Sequence, residues 1–410
     1  MSRLLFLVLS TCPLGALAAE GQRLVVDPSE YPEARCSDGS APVIYYAQAS
    51  DPFSNQWLIF LEGGGHCYTA EDCQARREIK PGNMGTGCDG TTCEGQGVAE
   101  AVARTRAFQG LLDDSPDPSF IDFNRVFVEY CSSDNWIGSG GSVGVPGFPN
   151  LTNPGVVEFN GHHIFMAVVD MLHRPFEGGP GIGDPGAEVL LGGGSAGSTG
   201  AQRNLDRLAD ALPEAAVVRG IFDAAFHGGD YPDLDTMTCS SRLAVGEVRT
   251  RPSRTMLDKW AVYAPELDQS CMAGAAAAGH DPALCLSIDY VLHGDYLDTP
   301  YFVYQSQKDW KAADGISAVG LQAIGYGTDD DERQRCLSDQ VRAFIPAAAA
   351  ASTALQGWYI PCSDWHTVVH RERFSDDVIT SSGSDYTLPH ALYNWVRGEG
   401  VRQLLDDECR

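Results

Sequence analysis

Lysine is nearly missing from this chain. Four of its 28 basic residues are lysine, against 55 acidic residues in a total of 410, and the formal net charge is −27. Nucleic acids and anionic membrane surfaces are bound through cationic patches, so both are poor partners for such a chain. So much acid with so little lysine suits a salty medium, where screening shortens the reach of self-repulsion. No Cys-x-x-Cys pair occurs, and the ten histidines do not cluster with cysteines at zinc spacing, so no metal is expected. After the first residues no stretch approaches the roughly 18 apolar residues that a membrane-spanning helix takes. Neither a Pro/Ser-rich linker nor an internal repeat divides the chain.

What is present starts with residues 1–18, which have the layout of a secretory signal. Arg3 supplies the charged end, residues 4–17 are mostly apolar, and Ala16-Leu17-Ala18 forms an A-x-A cleavage pattern. Thr11, Pro13 and Gly15 interrupt the apolar part, which is too short for an anchor. The expectation is a secreted, soluble, monomeric mature chain, 19–410, read as one domain. Cleavage removes Cys12 from a total of 13 cysteines and leaves an even number. In an exported chain that favours up to six disulfides, with Cys67 near Cys73 and Cys88 near Cys93 in sequence. Asn150-Leu151-Thr152 is an N-glycosylation acceptor pattern.

Short apolar runs at 43–47, 57–61, 125–130, 189–191, 217–222, 301–305 and 357–360 read as strands. Helical spacing marks 98–112, 159–173, 198–212, 254–264 and 333–351. Gly- and Pro-rich stretches at 81–97, 138–155 and 177–186 read as surface loops. Strands alternating with helices point to an α/β fold with a mostly parallel sheet covered on both faces.

Two glycine-rich turns carry the chemistry. Gly193-Gly194-Ser195-Ala196-Gly197 stands between the run ending at Leu191 and the helical segment from 198. A G-x-S-x-G pattern in that setting is a nucleophile elbow: small neighbours permit a sharp turn that lifts the serine hydroxyl clear of the sheet. The second turn, Glu62-Gly63-Gly64-Gly65-His66-Cys67, follows the run 57–61. A Gly triplet after an early strand brings backbone N–H groups close to a substrate carbonyl, so Gly64, Gly65 and Ala196 are the candidate oxyanion hole. An esterase then needs an acid and a base in the order Ser, Asp, His. Asp309, shortly beyond 301–305, is the candidate acid, with Asp223, Asp289, Asp295 and Asp298 as competitors. His366, in the Cys362–His366 segment after 357–360, is the candidate base, with His370 and His390 as rivals.

With those residues in place the chain resembles the pectin acetylesterase family, which includes the Notum-like carboxylesterases. The matching pieces are WLIFLEGGGHC (57–67) with Cys73 and Arg76, VEYCSSD (128–134), LLGGGSAGSTGAQRNLDRL (190–208), GIFDAAF (220–226), FVYQSQKDW (302–310) and the Cys362 to His366 segment. The resemblance implies an α/β-hydrolase fold with disulfide-stabilised loops. It implies Ser195 as nucleophile, Asp309 as acid and His366 as base, with no cofactor. His66 stands where the family usually has an aromatic residue, commonly Trp, and His66, Phe226 and His227 are expected near the substrate.

The first expectation for substrate is an acetylated polysaccharide, and the second a fatty-acylated protein. A catalytically idle glycan-binding protein is the third. A polyanionic glycan such as polygalacturonate would be repelled by so acidic a chain unless salt or a local basic patch intervened.

Overall fold

The computed structural model describes residues 20–87, 105–116, 118, 120–214, 216–226, 251–314 and 330–409. The proposed signal, Cys88, Cys93 and His227 lie outside the described residues.

In chain order the elements are β1 (Glu20–Val25), β2 (Val43–Ala47), β3 (Gln56–Leu61), α1 (Ala70–Ile79), β4 (Thr105–Ala107), β5 (Asn124–Val128), β6 (Gly141–Gly144), β7 (Val156–Phe159), α2 (Gly161–His173), β8 (Glu188–Gly194) and α3 (Ala196–Ala211). They continue with β9 (Val217–Asp223), α4 (Arg254–Tyr263), α5 (Gln269–Ala278), α6 (Ile288–His293), β10 (Tyr301–Tyr304), α7 (Trp310–Asp314), α8 (Asp330–Ala351), β11 (Leu355–Ile360), β12 (Val378–Ser381), β13 (Ser384–Thr387), α9 (Leu388–Arg397) and β14 (Gln403–Leu405).

Ten strands form one sheet in the order β14-β11-β10-β9-β8-β3-β5-β2-β1-β4. The pairs from β14 through β5 are parallel, while β5–β2, β2–β1 and β1–β4 are antiparallel. Burial on both faces explains why the central strands read as continuous apolar runs. In β3, Trp57, Ile59 and Leu61 enter one core while Leu58 and Phe60 enter the other. The first core takes Ile164 of α2, Leu205 and Leu208 of α3, and Phe344 of α8. The second takes Leu392 and Trp395 of α9. Each such aliphatic or aromatic side chain, fully buried, contributes roughly 1.5–3 kcal/mol of transfer free energy.

From β3 the chain goes to β5 on one side, then returns to β8 on the other and continues outward through β9, β10 and β11. The order therefore reverses between β3 and β8, and open α/β sheets bind ligands beyond the carboxyl ends of the strands at such a point. Leu61 and Gly193 are paired there, immediately before the two glycine-rich turns.

Four disulfides join described residues: Cys36–Cys131, Cys67–Cys73, Cys271–Cys285 and Cys362–Cys409. Cys336 is also disulfide-bonded. The expected strands are all present, with ends shifted by a few residues. The expected helix 98–112 is not: its described part is strand β4, paired with β1 through Gln22 and Thr105, and a 3-10 turn at Gly110–Leu112. Pairing with a partner strand outweighs local helical spacing there. Among the described residues no helix is long and apolar enough to cross a membrane.

Candidate active site

Ser195 sits between β8 and α3 with φ 56° and ψ −118°, a conformation that costs an L residue on the order of 1–3 kcal/mol. Its N–H donates to the Asp223 carbonyl at 2.9 Å, and its carbonyl accepts from Thr199 N at 3.1 Å. The surroundings tolerate only glycine. A Cβ on Gly193 would lie 2.1 Å from the Gly197 carbonyl oxygen, and one on Gly197 would lie 2.0 Å from that of Leu61.

His366 Nε2 lies 2.8 Å from Ser195 Oγ. On its other side Nδ1 lies 2.8 Å from Asp309 Oδ2 and 3.0 Å from Oδ1. Asp309 is fully buried. Its Oδ1 accepts Lys311 N at 2.9 Å and Ala312 N at 3.0 Å, so the first turn of α7 fixes the carboxylate. Gln305 Nε2 donates to Oδ2 at 3.3 Å. The Cys362–Cys409 bridge anchors the histidine loop.

Competing acids stand elsewhere. Asp289, Asp295 and Asp298 precede β10, at the amino end of a strand parallel to β8, whereas Ser195 follows the carboxyl end. Asp223 is adjacent but faces the histidine loop, accepting Val368 N at 3.0 Å and Val369 N at 2.8 Å on Oδ2. His370 is buried beside Phe60, ring centroids 4.8 Å apart. His390 is exposed and bound to Thr387 Oγ1.

The glycine loop packs against this turn: a Cβ on Gly63 would come 2.1 Å from the Gly194 carbonyl oxygen and 3.0 Å from Ser195 Cβ. Gly64 and Gly65 have φ of 151° and 80°, values that favour glycine. Their N–H groups, like that of Ala196 at the start of α3, have no hydrogen-bond partner among the described residues. The His66 ring stacks on Tyr68 at 6.1 Å. Phe226 is not brought to this surface. It is 1% exposed in the core, edge-on to Phe344.

Several site neighbours escaped sequence reasoning. Trp310, half exposed, lies beside the His366 ring at 6.5 Å. Lys311 Nζ lies 5.5 Å from the Trp310 ring centre. Lys80 Nζ donates to the Gly64 carbonyl at 3.3 Å. Its ammonium is held below its ordinary range, first by burial and then by the charges of Arg76 and Lys311, with Glu62 opposing and Arg371 adding to the effect. Two of the chain's four lysines therefore stand at this crevice. Glu129, the residue after β5, is pushed up to about 7 by burial and the nearby Glu62 carboxylate, with Arg106 opposing. Only the scarcity of lysine hinted at this clustering.

The profile of the pectinacetylesterase family matches residues 18–410. The chain belongs to the pectinacetylesterase family. It is 33% identical over 222 residues to the human palmitoleoyl-protein carboxylesterase NOTUM, covering 51% of this chain and 38% of that protein. Over 193 residues it is 30% identical to pectin acetylesterase 5 of Arabidopsis thaliana, 47% of this chain and 39% of that one. It is also 30% identical over 380 residues to the Drosophila melanogaster NOTUM, 90% of this chain and 47% of that protein. The chain thus spans less than half the length of these curated relatives. The solved structure of the Drosophila Wnt deacylase Notum superposes with a TM-score of 0.68 at 22% identity, covering 95% of this chain and 96% of that one. This likeness establishes the Notum-like α/β-hydrolase fold.

Proposed function

We propose that this family member is a serine carboxylic-ester hydrolase that removes O-acetyl groups from a polysaccharide. The observation that carries the reading is the continuous line from Ser195 Oγ through His366 to buried Asp309. A free serine hydroxyl is a weak nucleophile, and His366 Nε2 is placed to take its proton. Asp309 fixes the imidazole tautomer and stabilises the cation that forms. Oγ attacks the ester carbonyl, and the N–H groups of Gly64, Gly65 and Ala196 receive the developing oxyanion. His366 then protonates the leaving sugar oxygen, an acyl-enzyme forms, and water releases acetate by the reverse sequence. None of these steps uses a cofactor. Disulfides on both glycine and histidine loops support action outside the cytosol.

The second reading, cleavage of a fatty acyl group from a protein, has the relationship to the palmitoleoyl-protein carboxylesterases in its favour. Lys80 and Lys311 at the crevice, and exposed Trp310 beside His366, favour the glycan. An aromatic ring offers a sugar an apolar face, and local cations offset an otherwise acidic surface.

A panel of p-nitrophenyl esters, together with acetylated glycans, separates the two. A slot for long chains gains roughly 0.8 kcal/mol per buried CH₂, so kcat/KM would climb steeply from acetyl to octanoyl. The glycan reading expects acetyl to be preferred and acetate to be released from polymer. An optimum at eight carbons or more would favour the acyl-protein reading.

A further inference from the structure

Arg76 belongs to α1, a helix that buries only Cys73. Its guanidinium reaches across to the glycine loop. Nη1 donates to the Gly64 carbonyl at 2.8 Å and Nη2 to the Gly65 carbonyl at 3.2 Å. Nε donates to Ser133 Oγ at 2.7 Å, and that hydroxyl donates on to the Asn83 carbonyl at 2.7 Å. The fork is thereby fixed on both edges. Lys80 adds a second cation to the Gly64 carbonyl, and the Cys67–Cys73 bridge ties the loop to α1.

A trans peptide points its C=O and N–H in opposite directions. The Gly64 carbonyl and the Gly65 N–H belong to one peptide unit, so gripping the former from behind aims the latter away from the guanidinium. That N–H has no partner among the described residues. A cation on the carbonyl oxygen also draws electron density through the amide and makes its N–H a stronger donor. We propose that Arg76, supported by Lys80, is a positioning residue that orients and polarises the Gly65 amide as an oxyanion donor.

The inference rests on the ester-hydrolase reading. In that setting its effect belongs to the transition state, since the negative oxygen exists only there. An electrostatic role for Lys80 carries its own signature. Burial and the charges of Arg76, Lys311 and Arg371 pull its ammonium down, against Glu62. It therefore discharges at a lower pH than an ordinary lysine.

The experiment compares the full chain with Arg76→Ala, Arg76→Lys and Lys80→Met on p-nitrophenyl acetate. Each is also titrated with a methyl trifluoromethyl ketone, which adds to a serine as a tetrahedral oxyanion. Losing one oxyanion donor typically costs roughly 10²–10³ in rate. Arg76→Ala should lose kcat on that scale with KM little changed, and should lose ketone affinity by the same factor. Arg76→Lys keeps charge without the fork and should fall between. Lys80→Met should remove a decline of kcat on the alkaline side of the wild-type profile. If Arg76→Ala does not fold, the ketone and kcat comparison in Arg76→Lys decides. A rise in KM at constant kcat, or a kcat loss with ketone affinity intact, overturns the inference. A wild type inert to every ester overturns the ester-hydrolase reading and this inference with it. An active wild type with an equally active Arg76→Ala overturns this inference alone.

Discussion

Asp223 Oδ2 accepts the backbone N–H of Val369 at 2.8 Å, tying the end of β9 to the loop that carries His366. Burial pushes the Asp223 carboxyl up to about 8, against the pull of the Val369 and Val368 N–H groups, and the Asp309 charge adds to the rise. The acid is therefore mostly protonated at neutral pH. With the folded value above the ordinary 3.8, its contribution to stability is fully present below about pH 4 and lost as pH rises through about 8. Asp223→Asn keeps an acceptor and never ionises. It should keep most activity, and the gap between its Tm and that of the wild type should shift in its favour from pH 4 to pH 8. A constant gap would contradict this.

For the proposed triad, Ser195→Ala should abolish turnover and labelling by a fluorophosphonate while leaving the thermal transition almost in place. Asp309→Asn should cost on the order of 10⁴ in kcat if the acid behaves as in the serine proteases. His390→Ala, an exposed site hydrogen-bonded to Thr387, should be silent. Persistent labelling of Ser195→Ala would remove that residue from its role.

His370 gives a second, opposite pH signature. Burial holds its ring well below the ordinary histidine range, and the Arg371 and Arg106 charges lower it further. A base with a depressed folded value contributes stability above about pH 6.5 that is lost as pH falls. His370→Phe, set among Phe60 and Phe127, should lose less Tm than the wild type between pH 7 and pH 5. Equal losses would show that His370 is not the group responsible.

Asn150 heads the chain's single N-glycosylation pattern, yet it is 3% exposed. Its amide donates to the carbonyls of Ser37 and Val156, while Oδ1 accepts Thr152 N and Oγ1 and Asn153 N. No room or spare proton remains for a sugar. Folded protein from a eukaryotic secretory host should show no mass change on treatment with peptide N-glycosidase. Asn150→Asp, which cannot donate to either carbonyl, should lower stability by about 1–3 kcal/mol.

The parallel strands are legible in the sequence because both faces of each are buried, which leaves an unbroken apolar run as in Trp57 to Leu61. Ser195 is legible because the turn admits only small neighbours, and Asp309 and His366 by their order behind strands. Helix α1 is not, since it buries only Cys73 and lacks an apolar stripe. With it went the reach of Arg76 to Gly64, a contact between a polar helix and a loop that no periodicity encodes. Thr105 shows the converse: its strand exists because Gln22 lies beside it. Phe226 follows a strand near the site, and only three-dimensional packing turns it toward Phe344 rather than the crevice.

The loops that carry Asp309 and His366 lean on residues 403–409. Cys409 bridges to Cys362, and β14 pairs with β11. Gln307, two residues before Asp309, donates to the Asp406 carbonyl at 2.8 Å. Ribosomes build from the amino end, so the serine turn and the glycine loop exist long before this brace does. A nascent chain halted short of residue 403 would hold Ser195 while the loops of Asp309 and His366 still lack these contacts. On the proposed ester-hydrolase reading, full activity is expected only after Cys362 has closed onto Cys409.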